Sequence, residues 1–245
     1  MIALAYTRYE LLRTFRNRRF LIFSLAFPLI LYYVIAAPNR GVGNLGSTGV
    51  SLPLYYMVGL ASFGTMAAMI STGARIAGER TTGWTRQLRI TPLSTRAYFR
   101  AKVLTAYATA LLTIVVLYSA GISLGVSMPA RYWLEMTGLV LVGLLPFAVL
   151  GILLGHLLTV ESMGPAIGGV TSLLALVSGT WFPLSSHGFL HDLAQVLPSY
   201  WLVQANRVPV GGAAWGTTGW LVVAVWTVLL TGLARFVYRR DTARV

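Results

Sequence analysis

Residues Gly78–Lys102 read GERTTGWTRQLRITPLSTRAYFRAK, six cations and one acid in a chain that is 56% hydrophobic and only 10% charged. A soluble domain carries about 25% charged residues, so this composition cannot cover a water-facing surface and points to a polytopic membrane protein. In that setting a block of arginines marks a segment between spans on the cytoplasmic side. The net charge of +13 would suggest nucleic acid in a soluble protein. Here the same rule accounts for it, and no nucleic-acid partner is expected.

On either side of this stretch lie six segments long and apolar enough to cross a hydrocarbon core of about 20 helical residues: Phe20–Ala37, Leu54–Ala74, Val103–Val126, Leu134–Leu158, Pro165–Trp181 and Gly216–Val237. The fold class is therefore all-α, with six transmembrane helices in one domain covering residues 1–245. The first span follows Arg13, Arg16, Arg18 and Arg19 and is too long for a signal peptide. Only Thr159–Met163 separates spans four and five, which form a tight hairpin. An inside N-terminus places sixteen of the nineteen cations in the cytoplasm and leaves Arg40, Arg131 and Arg207 outside. Both termini are thus expected in the cytoplasm, in a bacterial plasma membrane.

Three segments outside the spans carry pattern. Residues 1–19 mix apolar and basic positions; an interfacial helix on anionic lipid is favoured over a solvated basic tail by Leu4, Tyr9, Leu11, Leu12 and Phe15. Residues 182–215 are too apolar for a solvated loop and too interrupted by Pro183, Pro198 and Pro209 for a span. Short interfacial or re-entrant helices fit them, anchored by Trp181, Tyr200, Trp201 and Trp215. Gly41–Gly49 reads as a flexible external loop.

Within the cytoplasmic segment 75–102, Gly83 permits a turn, and Trp84 and Leu88 share a helical face at i,i+4. Arg86 and Arg89 project elsewhere, Pro92 ends the short helix, and Ser94 caps the next. An apolar knob flanked by cations suits docking to another protein. The same arginines would also suit binding to anionic lipid alone, and the residues leave both readings open.

No motif for catalysis or energy coupling stands out in the sequence. There is no cysteine, so thiolate metal sites are excluded. Lys102 is the sole lysine and is followed by Val103, which rules out a phosphate-binding Gly-Lys-Ser/Thr loop. Glu10, Glu79, Glu135, Glu161, Asp192 and Asp241 are the only acids and none falls mid-span by these boundaries, so no proton relay is expected. His187, His191 and Asp192 have weak zinc spacing, and Ser178 lacks the partners of a membrane serine protease. Tyr32, Tyr33, Tyr55, Tyr56 and Phe63 could line a path for an apolar cargo or form an interfacial belt.

The stretch ERTTGWTRQLRITPLSTRAYFRAKVL resembles the segment after the second span in permease subunits of ABC-2-type ATP-binding-cassette transporters, through Glu79, Arg80, Gly83, Leu88, Thr91, Pro92, Leu93, Ser94, Tyr98 and Lys102. A second stretch is similar to the family pattern after span five, through Gly179, Trp181, Phe182, Pro183, Leu197, Pro198 and Arg207. The resemblance implies a coupling helix within Glu79–Thr91 (Glu79, Arg80, Gly83, Trp84, Arg86, Leu88, Arg89 and Thr91, closed by Pro92) seated in a separate ATPase. It implies two ATPase copies using ATP and Mg, a second permease copy or related permease, and no enzymatic activity or bound cofactor in this chain. Export of hydrophobic or amphipathic cargo (drug, antibiotic or lipid-like) is the expected function. A glycan exporter is the alternative, with a partner-independent channel or scaffold behind it.

Overall fold

The computed structural model describes residues 2–41, 49–184, 187–210 and 214–243. Most of the expected Gly41–Gly49 loop lies outside these, as do the side chains of Arg86 and Arg89. The described chain is helical: α1 (Ile2–Arg16), α2 (Arg18–Ala36), α3 (Leu52–Ile70), α4 (Thr72–Thr81), α5 (Trp84–Arg89), α6 (Thr95–Ser123), α7 (Ala130–Gly143), α8 (Leu145–Leu157), α9 (Val160–Val177), α10 (Phe189–Gln195), α11 (Pro198–Gln204), a 3₁₀ turn (Ala205–Val210) and α12 (Thr217–Ala243). Five stretches among the described residues are long and apolar enough to cross a membrane: Leu52–Thr81, Thr95–Ser123, Ala130–Leu157, Val160–Val177 and Thr217–Arg240. In α2 the described apolar stretch is Ser24–Ala36. The protein is an all-helical, polytopic membrane protein.

The helix α3 is apolar on every side and is buried by α2, α6, α8, α9 and α11, as expected for a helix with no polar face. Its continuation, α4, crosses α8 at a glycine contact. A Cβ on Gly151 would lie 2.6 Å from the Met69 carbonyl oxygen, and one on Gly155 would lie 2.7 Å from that of Gly73. The small-residue spacing of Gly151 and Gly155 therefore packs the protomer itself, letting two backbones approach. Between α7 and α8 the axis breaks at Leu144, one residue before Leu145-Pro146, because a proline nitrogen cannot donate to the preceding turn.

The helices divide the bundle into two ends. At one end lie α1, α5, the start of α6, the α8–α9 turn and the end of α12, where Tyr238 stacks on Phe99 and His156. At the other lie the start of α3, the α6–α7 turn, the 3₁₀ turn and α10–α11. The last pair is not superficial. Trp226 Nε1 donates to the Val196 carbonyl at 2.8 Å, and nine residues separate Trp226 from the start of α12 at Thr217, about 13 Å along the axis. The α10–α11 turn dips that far, and Pro198–Val203 are all buried against α3, α7, α9 and α12.

Candidate functional site

The charged stretch builds an elbow between two long helices. Helix α4 runs on to Thr81, a full turn and more beyond the expected end of span two, so Glu79 and Arg80 belong to a helix and not to an exit loop. Gly83 then takes a left-handed conformation (φ 72°), which turns the chain sharply into α5. The short helix ends at Ile90; the Thr91 hydroxyl donates to the Leu88 carbonyl at 2.6 Å, and Pro92 blocks continuation. Ser94 caps α6 as expected, accepting from the Ala97 N–H at 3.3 Å. Helix α6 begins at Thr95, so Lys102 lies two turns inside it and not at its edge.

Beneath the elbow lies a buried ion cluster. Lys102 is fully enclosed, with its Nζ 2.8 Å from Glu10 Oε2 of α1 and 2.5 Å from Glu79 Oε1 of α4. Arg13 Nη1 of α1 reaches the same Glu79 oxygen at 2.9 Å, and the Tyr98 hydroxyl donates to Glu79 Oε2 at 2.7 Å. Arg75 donates to Thr14 Oγ1 at 2.5 Å, a second polar tie between α4 and α1. Arg80 turns inward and donates to the Gly155 carbonyl at 3.0 Å. Three helices distant in sequence are thus fastened around one ammonium. Burial would lower the Arg13 guanidinium, yet Glu79 and Glu10 beside it hold it above its ordinary value. Burial first, and then the two carboxylates, push the Tyr6 hydroxyl up.

The described residues of the elbow face different ways. Glu79 and Arg80 point into the protein. Leu88 packs on the Tyr6–Tyr98–Ala101 cluster, and the indole N–H of Trp84 is buried, beside the Tyr6 hydroxyl but short of hydrogen-bond geometry. The apolar face of α5 is therefore its inner face, because the turn at Gly83 folds it back onto α1 and α6. Among the described side chains, what faces out is Ile90, 88% exposed, with Gln87, Thr91 and Pro92 around it. Helical spacing gave the shared face of Trp84 and Leu88 but not the direction in which it turns.

At the opposite end, the aromatic residues split into two groups. Tyr32 and Tyr55 are enclosed in the core, so neither lies on an open surface of the protomer. Tyr55 donates to the Gly179 carbonyl, and Tyr56 donates to that of Trp181 at 3.1 Å. Tyr33 pairs with Ser123 at 2.8 Å, while Phe63 packs between Phe27 and Trp181. Phe182, Pro183 and Arg207 are exposed, and Pro198 is the buried first residue of α11. His191 is hydrogen-bonded to Gln195 at 2.6 Å and stacks on Tyr200. No cluster of three metal-ligating side chains occurs among the described residues.

Sequence reasoning missed the union of Glu10, Glu79 and Lys102. A signal was present: a lone lysine in an apolar helix must find a carboxylate, and only six acids exist in the chain.

Comparison with known proteins agrees with this architecture. A family model described as ABC-2 family transporter protein matches residues 44–236, well over half of the chain. A putative transport permease of Bacillus subtilis (strain 168), YvfS, is 28% identical over 250 residues, covering 96% of each chain.

Proposed function

The chain belongs to the ABC-2 family of transporter proteins, a family of transport permeases, and from that premise we propose that it is the membrane-spanning subunit of an ATP-driven exporter. Two copies of a separate ATPase bind ATP and Mg and seat against the α5 elbows of two permease protomers, which face one another across a pathway. The elbow end and both termini lie in the cytoplasm of a bacterial plasma membrane, with six spans between. Closure of the ATPase pair pushes on α5, and the rigid link to α4 and α6 passes that motion into the bundle.

One observation carries this assignment: an isoleucine almost wholly exposed at the tip of a short helix that is braced from beneath by a buried ion cluster. A lone exposed apolar side chain is ordinary on a protein surface, but here it sits at the apex of an element whose other apolar residues all turn inward. Such an element delivers force only if it is stiff, and the Glu10–Lys102–Glu79 cluster supplies the stiffness. Cargo of hydrophobic or amphipathic character, drug-like, antibiotic or lipid-like, fits a bundle whose buried charges gather at one end and leave few to hold a polar solute.

Burying an isoleucine at a protein contact contributes about 1.5–3 kcal/mol, roughly a ten- to hundredfold change in affinity. Ile90→Asp should therefore lower co-purification of the co-expressed ATP-binding-cassette subunit by at least about tenfold and abolish ATP-dependent export from membrane vesicles, while Ile90→Leu keeps both. Full co-purification and export by Ile90→Asp would refute the docking role.

A further inference from the structure

The ion cluster leaves one cation over. Lys102 and Arg13 take both carboxylates, Glu10 and Glu79, and Arg75, one turn before Glu79 on α4, finds only hydroxyls. Its Nη1 donates to Thr14 Oγ1 at 2.5 Å and its Nη2 to Thr72 Oγ1 at 3.3 Å. Its Nε–H is buried with no acceptor among the described residues. A guanidinium withdrawn from water without an anion beside it is costly, and in a membrane protein such a charge marks a site of function. Its planar fork matches two oxygens of one carboxylate or phosphate. The surroundings say what kind of molecule carries them. Over residues 57–78 the only positions left partly open are Phe63, Ala67, Ser71, Ala74, Arg75 and Gly78. Steps of three and four residues place 63, 67, 71, 74 and 78 in one line along the helix, with Arg75 on its edge. The side chains of this strip are mostly small, and a Cβ on Gly78 would meet nothing within 4 Å. Ser71 Oγ donates to the Ala68 carbonyl at 2.7 Å, so its hydrogen is already placed. Phe63 packs against Phe27 of α2 and against Trp181 beyond α9, and the strip runs between those two elements. From Phe63 to Arg75 is about 18 Å along the axis, neutral throughout, and it ends at the unmatched charge.

We propose that Arg75 binds the acidic head of an amphipathic cargo whose apolar body lies along this strip. The inference rests on the exporter reading and narrows its cargo class to acids: a carboxylate or phosphate monoester on one long apolar body. Small inorganic anions lack the body that the strip accommodates, and neutral or cationic amphiphiles lack the charge that Arg75 calls for. A two-chain anionic lipid shares the head chemistry, but a strip one side chain wide takes a single chain. Cargo held there sits one turn from Glu79, on the helix that leads into α5, so cargo and ATPase bear on the same element.

The purified full chain, without any ATPase, is placed in phosphatidylcholine nanodiscs. Binding of a dansyl-labelled long-chain carboxylic acid is read by energy transfer from the seven tryptophans, with unlabelled acid as competitor. At neutral pH the acid should bind about tenfold or more tighter than its methyl ester or the matching amine. Arg75→Gln should remove that preference, and Arg75→Lys should keep part of it. Discrimination among the three probes is measured on the parent chain, so it decides the matter even where Arg75→Gln does not fold. Equal affinity for acid, ester and amine would overturn the proposal, as would an unchanged preference for the acid in folded Arg75→Gln. Phosphatidylglycerol mixed into the nanodisc separates cargo from resident lipid. Acid binding should persist there, and its loss would mean that the site holds a lipid headgroup, which overturns the cargo assignment. None of these readouts involves an ATPase, so acid binding holds or fails separately from the Ile90→Asp test of the exporter reading.

Discussion

The two ends of the bundle fasten short helices by different chemistry. At the elbow end, α1 is tied to α4 and α6 by ions, Lys102 between Glu10 and Glu79 with Arg13 and Tyr98 on Glu79, and Leu88 of α5 packs on the Tyr6–Tyr98–Ala101 cluster beside them. At the far end, α10, α11 and the turn after α9 are held by aromatic donors on backbone carbonyls. Trp201 donates to Gln195 at 3.0 Å, Trp215 to Trp201 at 2.6 Å and Trp226 to Val196 at 2.8 Å, with Tyr55 and Tyr56 on Gly179 and Trp181. The problem differs at each end. Chain that dips into an apolar layer must satisfy its own carbonyls, since no water is there to do so, and an indole N–H supplies one donor at the end of a large apolar body. A joint that transmits force needs helices locked in one register, for which multivalent ion pairs are better suited than single hydrogen bonds.

Removing the ammonium tests this contrast most severely. Lys102→Met leaves two buried carboxylates with too little compensating charge. Breaking a buried pair in this way costs about 3–5 kcal/mol, so the melting temperature in detergent should fall steeply and the elbow should lose its ATPase partner. Adding Glu10→Gln and Glu79→Gln to Lys102→Met removes the stranded charges and should recover most of the stability without recovering transport. If Lys102→Met melts like the parent, the cluster does not brace the elbow.

Trp226→Phe probes the other end. It strands the Val196 carbonyl between α10 and α11, at a cost of about 1–2 kcal/mol. The drop in melting temperature should be clearly smaller than for Lys102→Met, and co-purification of the ATPase should be unchanged, because this turn lies at the end of the bundle away from the elbow. Equal loss of the ATPase in both variants would erase the division of labour between the ends.

Much of this division could be read from the chain, and its limits have a physical cause. The all-helical membrane class, the turn at Gly83, the stop at Pro92 and the cap at Ser94 rest on local signals within a few residues, and these are legible. The ion cluster joins Glu79 to Lys102 across 23 positions and α1 to both across 66 to 92, and periodicity carries no information at that range. The inward face of α5 escaped for a related reason. Spacing reports which residues share a face, whereas the medium that covers it is set by the tertiary partner. In a membrane protein an apolar face can turn toward lipid as readily as toward the core, so hydrophobicity alone loses its usual meaning of "inside". Lys102 closes the charged stretch in the sequence, and nothing local to it names the two carboxylates that enclose it.

The smallest expected effect is also the one that best separates a brace from mere proximity. Tyr6 lies against the cluster, but its hydroxyl is buried without a hydrogen-bond partner, whereas the Tyr98 hydroxyl donates to Glu79. Deleting an unpaired buried hydroxyl removes a desolvation cost and no bond, so Tyr6→Phe should be neutral or stabilising by up to about 1 kcal/mol. Its signature should appear in alkali. The Tyr6 hydroxyl is pushed above its ordinary value by burial and by Glu10 and Glu79. The protonated form is thus the one the fold favours: its contribution is fully present below about pH 10, the unfolded value, and is lost as pH rises from there toward the folded value. Melting curves of the parent should therefore decline more steeply above about pH 10 than those of Tyr6→Phe, with the two coinciding in slope below it. A Tyr6→Phe variant that melts well below the parent at neutral pH would show that the hydroxyl makes a bond in the cluster, and that the brace extends one residue further along α1 than its hydrogen bonds indicate.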